Sequence, residues 1–221
     1  MDASLELLWI PLGAGGAVVK LNGRIFERLS AIAARRPACE LYHSALVVHL
    51  PEGRSVIEVA PRPDWEREVR GVVADGAVGL RWLGRFLVFR YEVRRWLGGM
   101  LPDEGFAVSS VRIELELDRA RHVIDLLPTV PAPVWGRDEL DAGEMWNSNS
   151  VVSWVLCRAG IDLAPFVVPV GGRAPGWDAG IVIAARQSGR NPDRGVHPMP
   201  LGDRACPLRR RKPRRSRRRR R

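Results

Sequence analysis

Cysteine is scarce in this chain of 221 residues. Its three cysteines, Cys39, Cys157 and Cys206, are odd in number and far apart, which argues against a disulfide framework and suits a reducing compartment. No grouping of Cys and His has the spacing of zinc ligands. We therefore expect no structural metal site, and no motif points to a cofactor.

Long apolar runs are also missing from the sequence. No stretch approaches 18 uninterrupted apolar residues, so we predict no transmembrane helix. The N-terminal segment carries Asp2 and Glu6 and has no basic stretch before its short apolar run, which argues against a secretory signal peptide. These absences together lead us to expect a cytoplasmic protein.

Lysine is nearly absent, and the basic residues are unevenly distributed. The segment from Arg209 to Arg221 holds 11 of the 35 Lys and Arg residues, which leaves 24 basic against 25 acidic residues in the rest of the chain. The net charge of +10 is therefore a property of this segment and not of a face of the fold. We predict a single domain over residues 1–186 and a disordered, Arg-rich tail over residues 187–221.

The tail has two interpretations. It is either a solvated segment without a partner, or a segment that binds nucleic acid or another polyanion through phosphate contacts and counterion release. No aromatic residue lies between the arginines, so the tail shows no sign of base stacking or sequence-specific recognition.

The apolar pattern of the remaining chain predicts an α+β fold, in which an antiparallel sheet packs against helices. Two apolar runs on either side of Pro51-Glu52-Gly53 are typical of an antiparallel hairpin. The predicted strands are Leu5–Leu12, Glu40–Leu50, Ser55–Ala60, one or two strands within Trp82–Trp96, Ser109–Leu117 and Ile181–Ala184. A helix is predicted from Asn22 to about Arg35, with Ile25, Leu29 and Ile32 on one face.

The segment between Met145 and Gly160 predicts a buried helix with a polar first turn. Asn and Ser are favoured at this position because their side-chain oxygens accept the free N–H groups of the first turn. Gly160 supplies the C-terminal stop. The N-terminus of a helix favours negative charge, so this polar turn is a place where an oxyanion would be stabilised.

Two polar residues on the predicted hairpin complete a candidate site. His43 lies on its first strand and Glu58 on its second, and the strand period of two allows a register that brings them near each other. The order is therefore a strand with His43, a strand with Glu58, and then a helix that opens at Asn147-Ser148.

This order resembles the circularly permuted papain-like superfamily, which includes NlpC-type peptidases and lecithin:retinol acyltransferase-like proteins. Residues 43–47 (HSALV) and 56–61 (VIEVAP) are similar to the two strands of that group. Residues 146–152 (WNSNSVV) are also similar to the helix start of an uncharacterised bacterial family, catalogued as domain of unknown function 3750. The resemblance covers roughly residues 40–185 and implies a permuted papain-like fold.

The resemblance also implies roles for individual residues. Ser148 stands where the peptidases and acyltransferases carry their nucleophilic Cys, His43 where they carry the base, and Glu58 where they carry the orienting group. Such a site would act as a hydrolase or acyltransferase on an amide or ester of a small molecule, peptide or lipid. Trp146, Asn147 and Asn149 are candidates for lining the pocket.

Ser148 keeps three interpretations at this point. It is a plain helix cap, a serine nucleophile, or the remnant of a catalytic site in a silent binding domain. A serine hydroxyl is a much weaker acid than a thiol and needs a base at the moment of attack. Asn147 and Asn149 are likewise either capping residues or pocket donors, and Cys157 lies too deep in the helix to replace the nucleophile.

Overall fold

A computed structural model describes residues 3–14, 27–61 and 71–189. In chain order their elements are β1 (Ala3–Pro11), α1 (described over 27–33), β2 (Glu40–Leu50), β3 (Gly53–Pro61), β4 (Val72–Ala77), β5 (Arg90–Leu97), β6 (Ser109–Leu115), α2 (Leu117–Leu126), α3 (Ser148–Arg158), β7 (Gly172–Arg173) and α4 (Trp177–Gln187). Short 3-10 helices cover Arg81–Arg85, Leu87–Phe89, Glu104–Phe106 and Leu127–Thr129. The fold is therefore α+β, with an antiparallel sheet packed against helices, as predicted.

The strands follow the order β4-β5-β3-β2-β1-β6, and each neighbouring pair is antiparallel. The short strand β7 pairs with the start of β2 in the parallel direction. β1 lies between β2 and β6 and is buried along nearly its whole length, which explains its continuous apolar sequence. The hairpin of β2 and β3 confirms the prediction made from Pro51-Glu52-Gly53.

The two faces of the sheet are covered differently. On one face, which we call the helix face, Tyr42, Leu46 and Val48 of β2 belong to the main core together with residues of α2, α3 and α4. On the opposite face, Ala45 and Val47 belong to a smaller cluster that includes Leu101. The alternation of side chains along β2 separates these two cores.

Helices α3 and α4 form the centre of the helix layer. Residues 148–156 of α3 are all buried, so this helix packs on several sides and not along one stripe. α4 crosses it closely at Gly180, where a Cβ atom would overlap the Ser150 carbonyl and the Ser153 hydroxyl. Trp177 of α4 packs against Trp9 of β1, with ring centroids 5.1 Å apart.

One strand prediction was wrong and another was only partly right. Residues 181–184 belong to helix α4 and not to a strand, because close packing at Gly180 outweighs the strand preference of the β-branched residues. Of the segment 82–96, predicted as one long strand or two, the second half forms strand β5, and two 3-10 helices precede it. The unpredicted strand β4 pairs with β5, and helix α2 begins at Leu117.

Helix α1 also differs from its prediction. Leu29 and Ile32 are 64% and 75% exposed, whereas Glu27 is buried. The Glu27 carboxylate accepts hydrogen bonds from Arg36 and from the backbone N–H of Cys39, and these contacts turn the polar side of α1 inward. Asn22 and Ile25 lie outside the described residues, as does the predicted tail from residue 190 onward.

Two kinds of feature are absent from the described ranges. No helix there is both long and apolar enough to cross a membrane. No group of three or more His, Cys, Asp or Glu side chains in the same ranges is arranged to hold a metal ion.

Candidate functional site

The polar first turn of α3 forms a complete capping box. Asn147 is the N-cap, and its side-chain oxygen accepts hydrogen bonds from the backbone N–H groups of Asn149 at 2.9 Å and Ser150 at 3.3 Å. The Ser150 hydroxyl accepts in return from the backbone N–H of Asn147 at 3.1 Å. This arrangement satisfies the free donors that a helix start otherwise leaves unpaired.

Asn149 connects the same turn to the sheet. Its Oδ1 accepts a hydrogen bond of 2.9 Å from the hydroxyl of Ser44 on β2. Its Nδ2 donates to the carbonyl oxygens of Tyr42 at 3.0 Å and Pro175 at 2.9 Å. The carboxamide is almost fully buried and all of these contacts lie within the fold, so Asn149 acts as a clip between α3, β2 and the segment before α4.

Two serines of α3 hold the start of α4. The Ser150 hydroxyl donates to the carbonyl of Gly176 at 2.7 Å, and the Ser153 hydroxyl donates to the carbonyl of Trp177 at 2.6 Å. Gly176 adopts a positive φ of 85°, and a Cβ there would overlap Asn147 and Ser150. Ser150 and Ser153 therefore lie on the side of α3 that α4 crosses.

Ser148 differs from its neighbours in this turn. It is 4% exposed and takes no part in the capping box or in the described bonds to the sheet and α4. Trp146 before it is buried in the main core, where its indole N–H has no described partner. The Nδ2 of Asn147 donates to Pro175. Asn147 and Asn149, the predicted pocket donors, thus form their hydrogen bonds with other groups of the fold.

His43 lies on the other face of the sheet from this turn. The side chain of Ser44 points towards α3, because it bonds Asn149, and successive side chains on a strand point to opposite faces. His43 therefore points away from α3. Its Nε2 lies 2.9 Å from Oδ2 of Asp103, in the segment that precedes β6. No described hydrogen bond or ion pair joins His43 to Ser148.

Glu58 is engaged elsewhere as well. It shares the face of His43, but its carboxylate lies 3.7 Å from the guanidinium of Arg94, its direct partner on β5. Arg94 is buried and also contacts Glu92 at 3.0 Å. The predicted orienting carboxylate thus belongs to a charge cluster centred on Arg94, and the carboxylate beside His43 is Asp103. Nothing in the sequence singled out Asp103, which lies in a loop 60 residues away.

A pair of acidic residues lies at the start of α4. Glu144 accepts a hydrogen bond from the backbone N–H of Gly176 at 2.8 Å. Burial and the nearby charge of Asp178 raise the pKa of Glu144 above its usual value, and burial also raises the pKa of Asp178. Glu144 therefore serves as a further cap, placed at the positive end of α4.

Cys157 behaves as the sequence predicts. Its side chain is packed against the main core, and burial raises the pKa of its thiol to about 11. At neutral pH the thiol therefore stays protonated and is a poor nucleophile.

One groove of about 290 Å³ lies where α2 meets the ends of β3 and β5. Its rim carries Arg95 and the loosely paired Arg121 and Glu52, which are 3.5 Å apart. None of the residues predicted from the sequence lines it, so it is separate from the α3 turn.

The resemblance to the permuted papain-like superfamily and to domain of unknown function 3750 rests on the sequence motifs alone and stays a prediction. The order of strands and helix that suggested it is present, since β2, β3 and α3 occur in that sequence. Comparisons of the chain with family models, with curated proteins and with solved structures found no match.

Proposed function

We propose that the folded part of this chain is a non-catalytic α+β scaffold, and that the chain binds polyanions through its Arg-rich segment, residues 209–221. The observation that carries the first half is the Asn149 clip: the polar turn of α3 joins the sheet to α4. His43, the base that a serine nucleophile would need, pairs with Asp103 on the face of β2 opposite to the Ser44 side chain.

The charge distribution supports the second half of the proposal. Eleven basic residues in thirteen positions follow a body that is close to neutral, so attraction to an anion concentrates in one segment. Each phosphate contact releases a counterion, and a protein with about 6–10 such contacts loses roughly 10³–10⁵ in affinity between 50 and 200 mM salt. Binding through the segment is therefore expected to depend steeply on salt.

Heparin and a random-sequence DNA duplex are suitable probes for this proposal. The full chain is compared with a variant of equal length in which the eleven basic residues of 209–221 are replaced by Gln. We expect wild-type retention on heparin that falls steeply with salt, and little retention of the variant. Equal retention of the two chains at every salt concentration would overturn the proposal.

The hydrolase or acyltransferase hypothesis is a second candidate. The position of Ser148 in the first turn of α3 favours it, because the positive end of a helix would stabilise an oxyanion. A serine-directed fluorophosphonate probe followed by intact-mass measurement tests it. A mass adduct on wild type that is absent from Ser148→Ala would support catalysis and contradict the scaffold proposal. Absence of any adduct is the result that the scaffold proposal predicts.

A further inference from the structure

The connection between β4 and β5 exposes an unusual amount of apolar surface. Residues 80–89, which we call the aromatic loop, contain six large apolar side chains that are 38% to 62% exposed. They are Leu80, Trp82, Phe86, Leu87, Val88 and Phe89. Isolated exposed apolar residues need no explanation, but six within ten positions indicate an interaction surface.

The aromatic loop has a defined backbone conformation, held by hydrogen bonds and packing. Its backbone N–H groups at Leu83, Phe86 and Phe89 each bond the carbonyl three residues earlier, at 2.9 to 3.0 Å. Gly84 is buried against Ala77 of β4, so closely that a Cβ would come within 2.8 Å of the alanine methyl group. Arg90 also donates to the Gly84 carbonyl at 2.9 Å. The exposed side chains thus project from a hydrogen-bonded backbone that packs against β4.

The charge of the aromatic loop is of one sign. No acidic residue occurs between Asp75 and Glu92, whereas Arg81 and Arg85 lie within the loop. Arg81 is paired with Glu139 outside the loop, 2.9 Å away, so Arg85 carries the available charge. The Arg85 guanidinium lies over the rings of Trp82 and Phe86, 5.1 and 4.9 Å from their centroids, and has no acidic partner among the described residues. Its N–H groups therefore remain available to a phosphate.

We propose that the aromatic loop inserts into the interface of an anionic lipid bilayer, and that residues 209–221 hold the protein to the same surface. This inference rests on the proposed polyanion binding and names the lipid phosphate surface as the partner. Aromatic and aliphatic side chains beside arginine match the boundary between acyl chains and headgroups. The internally bonded turns lower the cost of moving the backbone towards the lipid.

Two other occupants fit the charges less well. A second copy of the chain, docked loop to loop across a two-fold axis, would bring the two Arg85 guanidinium groups towards each other, with no acid of the loop to offset them. Nucleic acid would meet the arginines, but it offers no apolar layer for Leu87 and Val88. A bilayer accommodates both components, and stable attachment to it generally takes two signals, here an apolar loop and a basic segment.

The test is flotation of the full chain with phosphatidylcholine vesicles that either contain or lack phosphatidylserine. We expect binding only to the anionic vesicles. The double substitution Trp82→Ser and Leu87→Ser should weaken it by roughly tenfold or more, because each side chain loses its apolar burial. Val170→Ser is the matched control, since Val170 is 92% exposed but lies outside the aromatic loop. All of these side chains are exposed, so folding should be preserved.

A second readout reports insertion directly. Lipids with brominated acyl chains should quench tryptophan fluorescence in the wild type, and Trp82→Phe should remove most of this quenching while keeping the binding. Vesicle binding unchanged by the loop substitutions, or quenching unchanged in Trp82→Phe, would overturn the inference. So would competition by the DNA duplex combined with no quenching, which would identify nucleic acid as the partner.

Failure of this inference can be told apart from failure of polyanion binding. If the Gln-substituted segment retains wild-type binding to heparin, the proposed function fails whatever the aromatic loop does. If heparin binding is lost as expected but the loop substitutions leave vesicle binding intact, only the insertion of the loop is refuted.

Discussion

The hydroxyl of Ser44 and the carboxamide of Asn149 share a hydrogen bond of 2.9 Å between the sheet and the first turn of α3. This bond lies on the face of β2 that carries the helix layer. The adjacent His43 consequently points to the opposite face, where it pairs with Asp103. Ser44, which anchors α3, and His43, which was predicted to be the catalytic base, are thus neighbours in the chain but point to opposite faces of the sheet.

The crossing of α3 and α4 should not tolerate a side chain at Gly180. In Gly180→Ala, the added methyl group would overlap the Ser150 carbonyl and the Ser153 hydroxyl, so the helices must separate. We expect a loss of about 3 kcal/mol in the free energy of unfolding. Gly105→Ala is the control, because a Cβ there meets no atom within 4 Å. Urea unfolding followed by circular dichroism measures both, and similar values for the two variants would refute the tight crossing.

The acidic pair at α4 should make stability depend on pH. Burial raises the pKa of Glu144 and of Asp178 in the folded protein, so the folded state holds these protons more tightly than the unfolded chain. The free energy of unfolding should therefore fall as pH rises from the ordinary Glu value of 4.5 through the raised pKa of the folded state.

Glu144→Gln should flatten this pH dependence. The amide oxygen of Gln can still accept the Gly176 N–H, while the charge that opposes Asp178 is removed. Urea unfolding across the acidic range measures the effect, with the exposed Glu114→Gln on β6 as the control. A variant that keeps the wild-type slope would show that Glu144 does not titrate differently in the folded protein.

Cys157 should react slowly with alkylating reagents. Burial raises the pKa of its thiol to about 11, so little thiolate is present at neutral pH. Iodoacetamide labelling followed by peptide mass spectrometry should modify Cys39 before Cys157, although both side chains are half-buried. In urea these two cysteines should react at similar rates. Fast labelling of Cys157 in the folded protein would contradict the raised pKa of its thiol.

The elements that were predicted correctly are those with strong local signals. The β2–β3 hairpin followed from its turn sequence, and α3 followed from Asn147 at its start and Gly160 at its end, where φ is 68°. Helix α4 was missed because its β-branched residues favour a strand locally. Only the contact of Gly180 with α3, which is a tertiary interaction, indicates a helix there.

The candidate site was harder to predict than the fold, for a specific reason. Alternation assigns His43 and Ser44 to opposite faces of β2, but it does not say which face a later helix will cover. The choice depends on tertiary contacts such as the packing of Leu46 in the main core and the bond from Ser44 to Asn149, across 105 residues of sequence. The partner of His43 is equally remote, because Asp103 lies in a loop without a recognisable motif.

The role of Asn149 as the link between α3 and the sheet is tested by the free energies of unfolding of Asn149→Ala and Ser148→Ala, measured side by side in urea. We predict a loss of about 2–4 kcal/mol for Asn149→Ala, which leaves the buried Ser44 hydroxyl and two carbonyl groups without their partner, against less than about 1 kcal/mol for Ser148→Ala. Small and equal losses in both variants would show that Asn149 does not clip α3 to the sheet.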